Sequence, residues 1–205
     1  MATKIGLLEV PMRYDRMTRW LHVGIALGVT VQLGLSLVME APDDKDEVLA
    51  SGLPLQLFGA HESIGMALLA LLALHWLWCL TGHVQDGFGH LFPWFSKQRM
   101  GKVMADTHEV IKLKLPDPES SNALAGAVHG LGLLAATGMA ASGAVIFFNL
   151  SATGHMTDLG AIFHNMHGAI ALLMWCYLIA HVVVAVIHKR MGHTNVKEMF
   201  SLFKE

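Results

Sequence analysis

Histidine is the residue type through which this chain can do chemistry. It occurs thirteen times in 205 residues. His22, His61, His75, His129, His164, His167 and His181 fall within or at the ends of long apolar runs. An ionisable side chain in such a run is costly to bury and marks function by default. A packed histidine bonded to a nearby carbonyl accounts well for one such residue and poorly for seven. Spacing narrows the chemistry. His167 and His181 are fourteen residues apart, as are His61 and His75. On a helix turning ~100° per residue, each pair shares one side within roughly 40° and is separated by about 21 Å along the axis. A compact metal site wants ligands at i and i+3 or i+4 instead, which His164 and His167 also offer. The wide spacing fits two cofactors stacked across a hydrocarbon core about 30 Å thick. Haem b suits that pattern: it binds without covalent links, and imidazole is a common axial ligand. Two imidazoles from facing helices fill both axial positions, which leaves an iron suited to electron transfer.

Four apolar runs must position these residues. They cover about 17–39, 55–80, 123–150 and 161–187, each near the roughly 20 residues that a spanning helix needs. The runs are continuous and do not alternate, so helices are expected rather than strands. Glu62 is the one carboxylate within a run. Composition agrees. Hydrophobic residues make up 54 % and charged residues 15 % of the chain, against about 25 % charged in a soluble domain. Mean hydropathy is +0.49. An ordinary cytosolic enzyme is therefore excluded, and a net charge of −2 excludes a basic nucleic-acid binder. Cys79 and Cys176 sit in apolar runs, too far apart for a Cys-x-x-Cys pair, a zinc ribbon or a covalent c-type haem site.

The loops give the orientation. Lys4, Arg13, Arg16 and Arg19 precede or open the first run; Lys45 is alone in an acidic loop with Asp43, Asp44, Asp46 and Glu47. Lys97, Arg99, Lys102, Lys112 and Lys114 lie between runs two and three. The next loop has Asp158 and no cation, and the tail has Lys189, Arg190, Lys197 and Lys204. This alternation puts both termini in the cytoplasm. The first run is long and lacks a small-residue cleavage site, so it is expected to remain as an anchor. The cytoplasmic loop, about 81–122, contains a basic amphipathic stretch from Trp94 to Leu115, expected as a helix on the inner membrane surface. Pro116 and Pro118 end it, and Asn122 is placed to cap the third spanning helix.

Depth groups the histidines. His61 and His167 lie toward the outer side. His22 and His181 lie toward the inner side, and so do His75 and His129. His188 precedes Lys189 and Arg190 and marks the surface. His83, His90, His108, His155 and His193 fall outside the runs and are expected in solvent. Gly65, Gly126, Gly130, Gly132, Gly138 and Gly143 thin the helix surfaces for close packing of helices or of a porphyrin face. Arg13, Arg16 and Arg19 set topology or meet haem propionates.

Three pieces of the sequence resemble a known family: Arg19-Trp20-Leu21-His22, His61-Glu62-Ser63-Ile64-Gly65, and His167-Gly168 followed by His181. The resemblance is to the bacterial cytochrome b561 and nickel–iron hydrogenase cytochrome b family, and it extends over all four runs. It implies an all-α, integral membrane four-helix bundle in the bacterial inner membrane, forming one domain over 1–205. It implies two b-type haems, with His22 and His181 as one axial pair and His61 and His167 as the other. His75 and His129 are additional to the pattern, as ligands, quinone contacts, proton-path members or locally bonded residues. The implied function is electron transfer between a quinone and a redox partner, with a quinone bound in the protein as a further cofactor. That partner would be a c-type cytochrome, an iron–sulfur protein or a hydrogenase-like subunit, periplasmic or membrane-bound. The acidic loop suits a basic c-type cytochrome. Quinone-linked oxidoreductase activity would then require the partner. Two alternatives are a free-standing quinol oxidase delivering electrons to oxygen or superoxide, and a histidine-lined metal transporter. A transporter would want more intramembrane carboxylates than Glu62.

Overall fold

The computed structural model describes residues 14–42, 52–81, 87–112, 123–191 and 195–203. The acidic loop residues, Arg13, Pro116, Pro118 and Asn122 lie outside them, as do His83 and His193. Helix α1 (Arg16–Leu35) starts where Asp15 accepts from the Thr18 backbone N–H at 2.9 Å. A carboxylate there satisfies an orphan amide and complements the helix dipole. The sequence suggests a helix to about Met39, but it stops at Leu35. The Ser36 hydroxyl turns back to the Leu33 carbonyl at 2.8 Å, and residues 36–38 form a turn.

Helix α2 (Leu53–Leu80) begins after Gly52, whose φ of 69° suits a residue without Cβ, and carries Pro54 in its first turn. Two short elements follow, α3 (Gly87–Leu91) and a 3-10 turn (Pro93–Phe95), then α4 (Lys97–Ile111) and α5 (Ala123–Asn149). A tight connection through Gly154 leads to α6 (Asp158–Arg190), and α7 (Asn195–Met199) closes the described chain. Helix α6 exceeds the 161–187 expected. The Thr157 hydroxyl caps the Gly160 amide at 3.2 Å, while His188, Lys189 and Arg190 complement the carbonyl end of the dipole.

Helices α2, α5 and α6 are each long and apolar enough to span a membrane. Helix α1 carries Arg16 and Arg19 in its first turn, which lowers its hydropathy. Its 20 residues still rise about 30 Å, the thickness of a hydrocarbon core. The contacts run α1 to α2, α2 to α5, α5 to α6, and α6 back to α1, so the four helices close a bundle. Leu33, Leu68, Leu72, Ala136 and Met174 form its buried centre. Outside, Leu172, Leu173, Ile179, Val182 and Val183 of α6 stand exposed. A helix apolar on both faces is stable where its outer face meets lipid.

Glycines set how closely the elements approach. A Cβ at Gly130 would collide with the Leu91 carbonyl, and one at Gly126 would lie 2.5 Å from His90 Nε2. Helix α3 therefore seats its backbone directly on α5. The loop aromatics lock it there. Trp76 stacks on Phe92 with centroids 5.8 Å apart, and its indole N–H donates to Thr137 of α5 at 3.0 Å. Helix α4 packs beside α5, and its Asp106 turns inward to accept the Leu124 amide at 3.1 Å. The start of α5 is thus capped by a residue of another helix. On the other side of α4, Met104 and Ile111 are exposed.

Candidate cofactor sites between the helices

The bundle encloses two cavities, one above the other. The outer, about 290 Å³, is lined by His61, Glu62, His164 and His167, with Gln32 and Met139. The inner, about 210 Å³, is lined by His22, His75, His90, His129 and His181, with Tyr177. Val29, Ala136 and Met174 line both and form the partition between them.

Each cavity has one pair of imidazoles on opposing helices. His61 of α2 and His167 of α6 have ring centroids 6.3 Å apart. His22 of α1 and His181 of α6 are also 6.3 Å apart. A metal between two imidazoles needs two metal–nitrogen bonds of roughly 2 Å and two ring radii of about 1.1 Å, close to 6.3 Å in all. Both pairs therefore have the separation of rings flanking one iron. His129 approaches His181 more closely, at 5.2 Å edge to face, which leaves too little room for a metal between them. His75 also lines the inner cavity.

Orphaned polar atoms point the same way. The Nδ1 atoms of His22, His61 and His75 are buried with no hydrogen-bond partner among the described residues. Leaving such groups unpaired is unfavourable, so a ligand in the cavities fits them better than empty space does. Apolar lining and facing imidazoles suit a haem.

Neighbouring contacts hold the histidines in place. The Gln32 amide donates to the His61 carbonyl at 2.8 Å, linking α1 to α2 beside the outer cavity. Ser142 of α5 lies 2.9 Å from His167 Nδ1. His129 Nδ1 meets the Ala125 carbonyl at 2.7 Å, one turn back on its own helix. The Tyr177 ring lies nearly parallel to His181, with centroids 5.5 Å apart and planes at 12°. Phe200 meets His22 edge-on at 6.4 Å, so the segment after α6 returns to cover the inner pair.

Three expectations change. His90, expected in solvent, lines the inner cavity, because α3 folds back onto the α5 glycines; only that tertiary contact brings it there. Arg19, weighed as a propionate partner, is 2 % exposed. Its guanidinium donates to the Asp15 carbonyl at 3.4 Å and to the Ser201 carbonyl, so its charge serves the protein's own backbone. The compact His164–His167 metal arrangement finds no third partner: no group of three or more metal-binding side chains converges among the described residues.

Comparison with known proteins gives one match. The family described as prokaryotic cytochrome b561 matches residues 13–202. No curated protein and no solved structure matches the chain.

Proposed function

The chain belongs to the prokaryotic cytochrome b561 family, and from that premise we propose that it carries electrons between the quinone pool and a redox protein on the outer side of the membrane. Family membership makes it a multi-pass membrane protein and a di-haem b-type cytochrome of electron transfer. The ligand assignment and the partner are our reading.

In that reading His61 and His167 hold the outer haem, and His22 and His181 hold the inner one. The observation that carries it is the shared 6.3 Å separation of the two opposing pairs. When bound, the haems would supply one-electron carriers, each held by one of these histidine pairs. The protein's part is placement. Helix α6 contributes one histidine to each site, so its fourteen-residue interval sets the cofactor spacing at about 21 Å along the axis. His75 and His129 stand beside the inner pair and serve as polar neighbours in the inner cavity rather than as ligands.

The apolar partition favours two fixed cofactors over a histidine-lined path for metal ions. The acidic sequence Asp43, Asp44, Asp46 and Glu47 carries the charge that would suit a basic c-type cytochrome as partner. Their neutralisation should slow electron exchange at low ionic strength; an unchanged rate would remove that partner from the proposal.

The test of the ligands is a pyridine haemochrome count with reduced-minus-oxidised spectra of protein purified in detergent. Two haems b per chain are expected. His22→Ala and His61→Ala should each remove a different one, while His75→Ala and His129→Ala retain both. Loss of the inner haem in His75→Ala with retention in His22→Ala would overturn the inner assignment.

A further inference from the structure

We propose that Ser142 is a positioning residue for the outer haem: it fixes the proton of His167 on Nδ1 and lowers the redox potential of that site alone. The inference rests on the ligand reading above and adds a residue outside it.

Ser142 lies on α5 and is 2 % exposed. Its hydroxyl has three neighbours: the Gly138 carbonyl at 2.7 Å, the Met139 carbonyl at 3.0 Å and His167 Nδ1 at 2.9 Å. A hydroxyl has one proton to donate. Two of the three neighbours are carbonyl oxygens, which only accept. The shortest contact, to Gly138, therefore takes the hydroxyl proton. Toward His167 the Ser142 oxygen then acts as acceptor, which requires a proton on Nδ1. The neutral ring keeps its lone pair on Nε2, the nitrogen left to bind a metal.

Space around the ring fits this role. A Cβ at position 143 would come within 3.3 Å of His167 Cε1, so Gly143 lets the imidazole settle against α5 beside the serine. Two of the other candidate ligands differ. Nδ1 of His22 and of His61 has no partner among the described residues. His167 thus receives a side-chain acceptor that His22 and His61 lack.

Such a contact has a direction. An acceptor on Nδ1–H raises the basicity of the imidazole as a metal ligand. A stronger donor favours the ferric state, and hydrogen bonding around a haem is one of the protein's means of setting potential. Removing the acceptor should raise the midpoint of the outer haem and leave the inner haem as an internal reference.

The experiment is a potentiometric titration of the detergent-purified holoprotein, with electron paramagnetic resonance of the ferric low-spin signals. The outer haem is first identified as the one lost in both His61→Ala and His167→Ala. Ser142→Ala is expected to keep two haems, shift the outer midpoint upward, alter only that haem's ferric signal, and weaken its binding by about 10–100-fold. Ser142→Thr, which retains a hydroxyl, should return both values toward those of the original chain. If Ser142→Ala loses the haem, Ser142→Cys keeps near-equal size with a weak acceptor and is read by the same titration. An unchanged outer midpoint and signal, or an equal shift of both haems, overturns the inference. If His61→Ala and His167→Ala remove different haems, the ligand reading fails instead.

Discussion

Gly132→Ala should damage the inner site while lowering the bundle's overall stability by no more than about 2 kcal/mol. Gly132 faces Tyr177 across the α5–α6 contact. A Cβ there would collide with the end of the ring and lie 2.6 Å from Tyr177 Cε2. Carbon atoms settle at about 3.5–4.0 Å, so the ring, whose Cζ lies closer still, must withdraw by about 1.5 Å. Overpacking of this kind costs about 1–3 kcal/mol, and replacing a mid-helix glycine by alanine returns about 1 kcal/mol. The net loss is then at most about 2 kcal/mol. The ligand suffers more. Tyr177 lies flat against His181, so its withdrawal removes the surface that orients that imidazole, whereas metal–ligand distances tolerate only about ±0.2 Å. The assay is haem count and reduced-minus-oxidised spectra alongside thermal unfolding in detergent. Gly101→Ala on α4 is the control: its added Cβ meets nothing within 4 Å, it lines neither cavity, and the variant should gain up to about 1 kcal/mol with both haems intact. The reasoning is refuted if Gly132→Ala binds the inner haem with an unaltered spectrum, or if the outer haem is the one disturbed.

Other outcomes follow from single contacts. Asp106→Ala should lower stability by about 1 kcal/mol by uncapping α5, and Asp106→Asn, which still offers an acceptor, should lower it less; equal loss in both would indicate a different role. Arg19→Gln should release the segment around Ser201, at a cost of about 1.5–3 kcal/mol for a charged hydrogen bond; limited proteolysis should then cut within 195–203 faster, and an unchanged cleavage rate would count against the anchor. Gly52→Ala places a Cβ at a φ of 69° and should cost about 1 kcal/mol or more, read as a lowered unfolding temperature.

Hydropathy locates the long helices, α2, α5 and α6 most plainly, because lipid-facing and core-facing surfaces are both apolar and the runs stand out whole. The helix ends were less legible. Ser36 and Thr157 act through hydroxyl contacts that decide where a helix stops or starts, and an apolar count does not register them. The fourteen-residue spacing announces one helix with two histidines on a side; it does not say that His22 and His61 stand 6.3 Å across from them. That depends on how α1 and α2 pack. Ser142 carries no sequence signal, since a serine in a glycine-rich helix reads as one more small residue. His90 and Asp106 were hidden for a related reason. The role of His90 comes from α3 folding onto the bare surfaces of Gly126 and Gly130, and that of Asp106 from α4 packing beside the start of α5; neither contact is written near the residue itself.

The partition between the cavities sorts two kinds of particle. Val29, Ala136 and Met174 border both spaces, and none of these side chains can relay a proton, which needs an unbroken file of hydrogen bonds. An electron tunnels through aliphatic carbon and needs no such file. If the two cavities hold the haems as proposed, charge crossing this partition would be uncompensated, and the membrane voltage would act on it. A unit charge feels about 2.3 kcal/mol per 100 mV over the whole bilayer. A 21 Å step in a core of about 30 Å takes roughly two thirds of that, near 1.5 kcal/mol, or about a tenfold bias per 100 mV in how electrons divide between the sites. In energised vesicles the two haems should redistribute their electrons with the sign of the applied potential. The three apolar side chains thus make the bundle an electrical element as well as a scaffold.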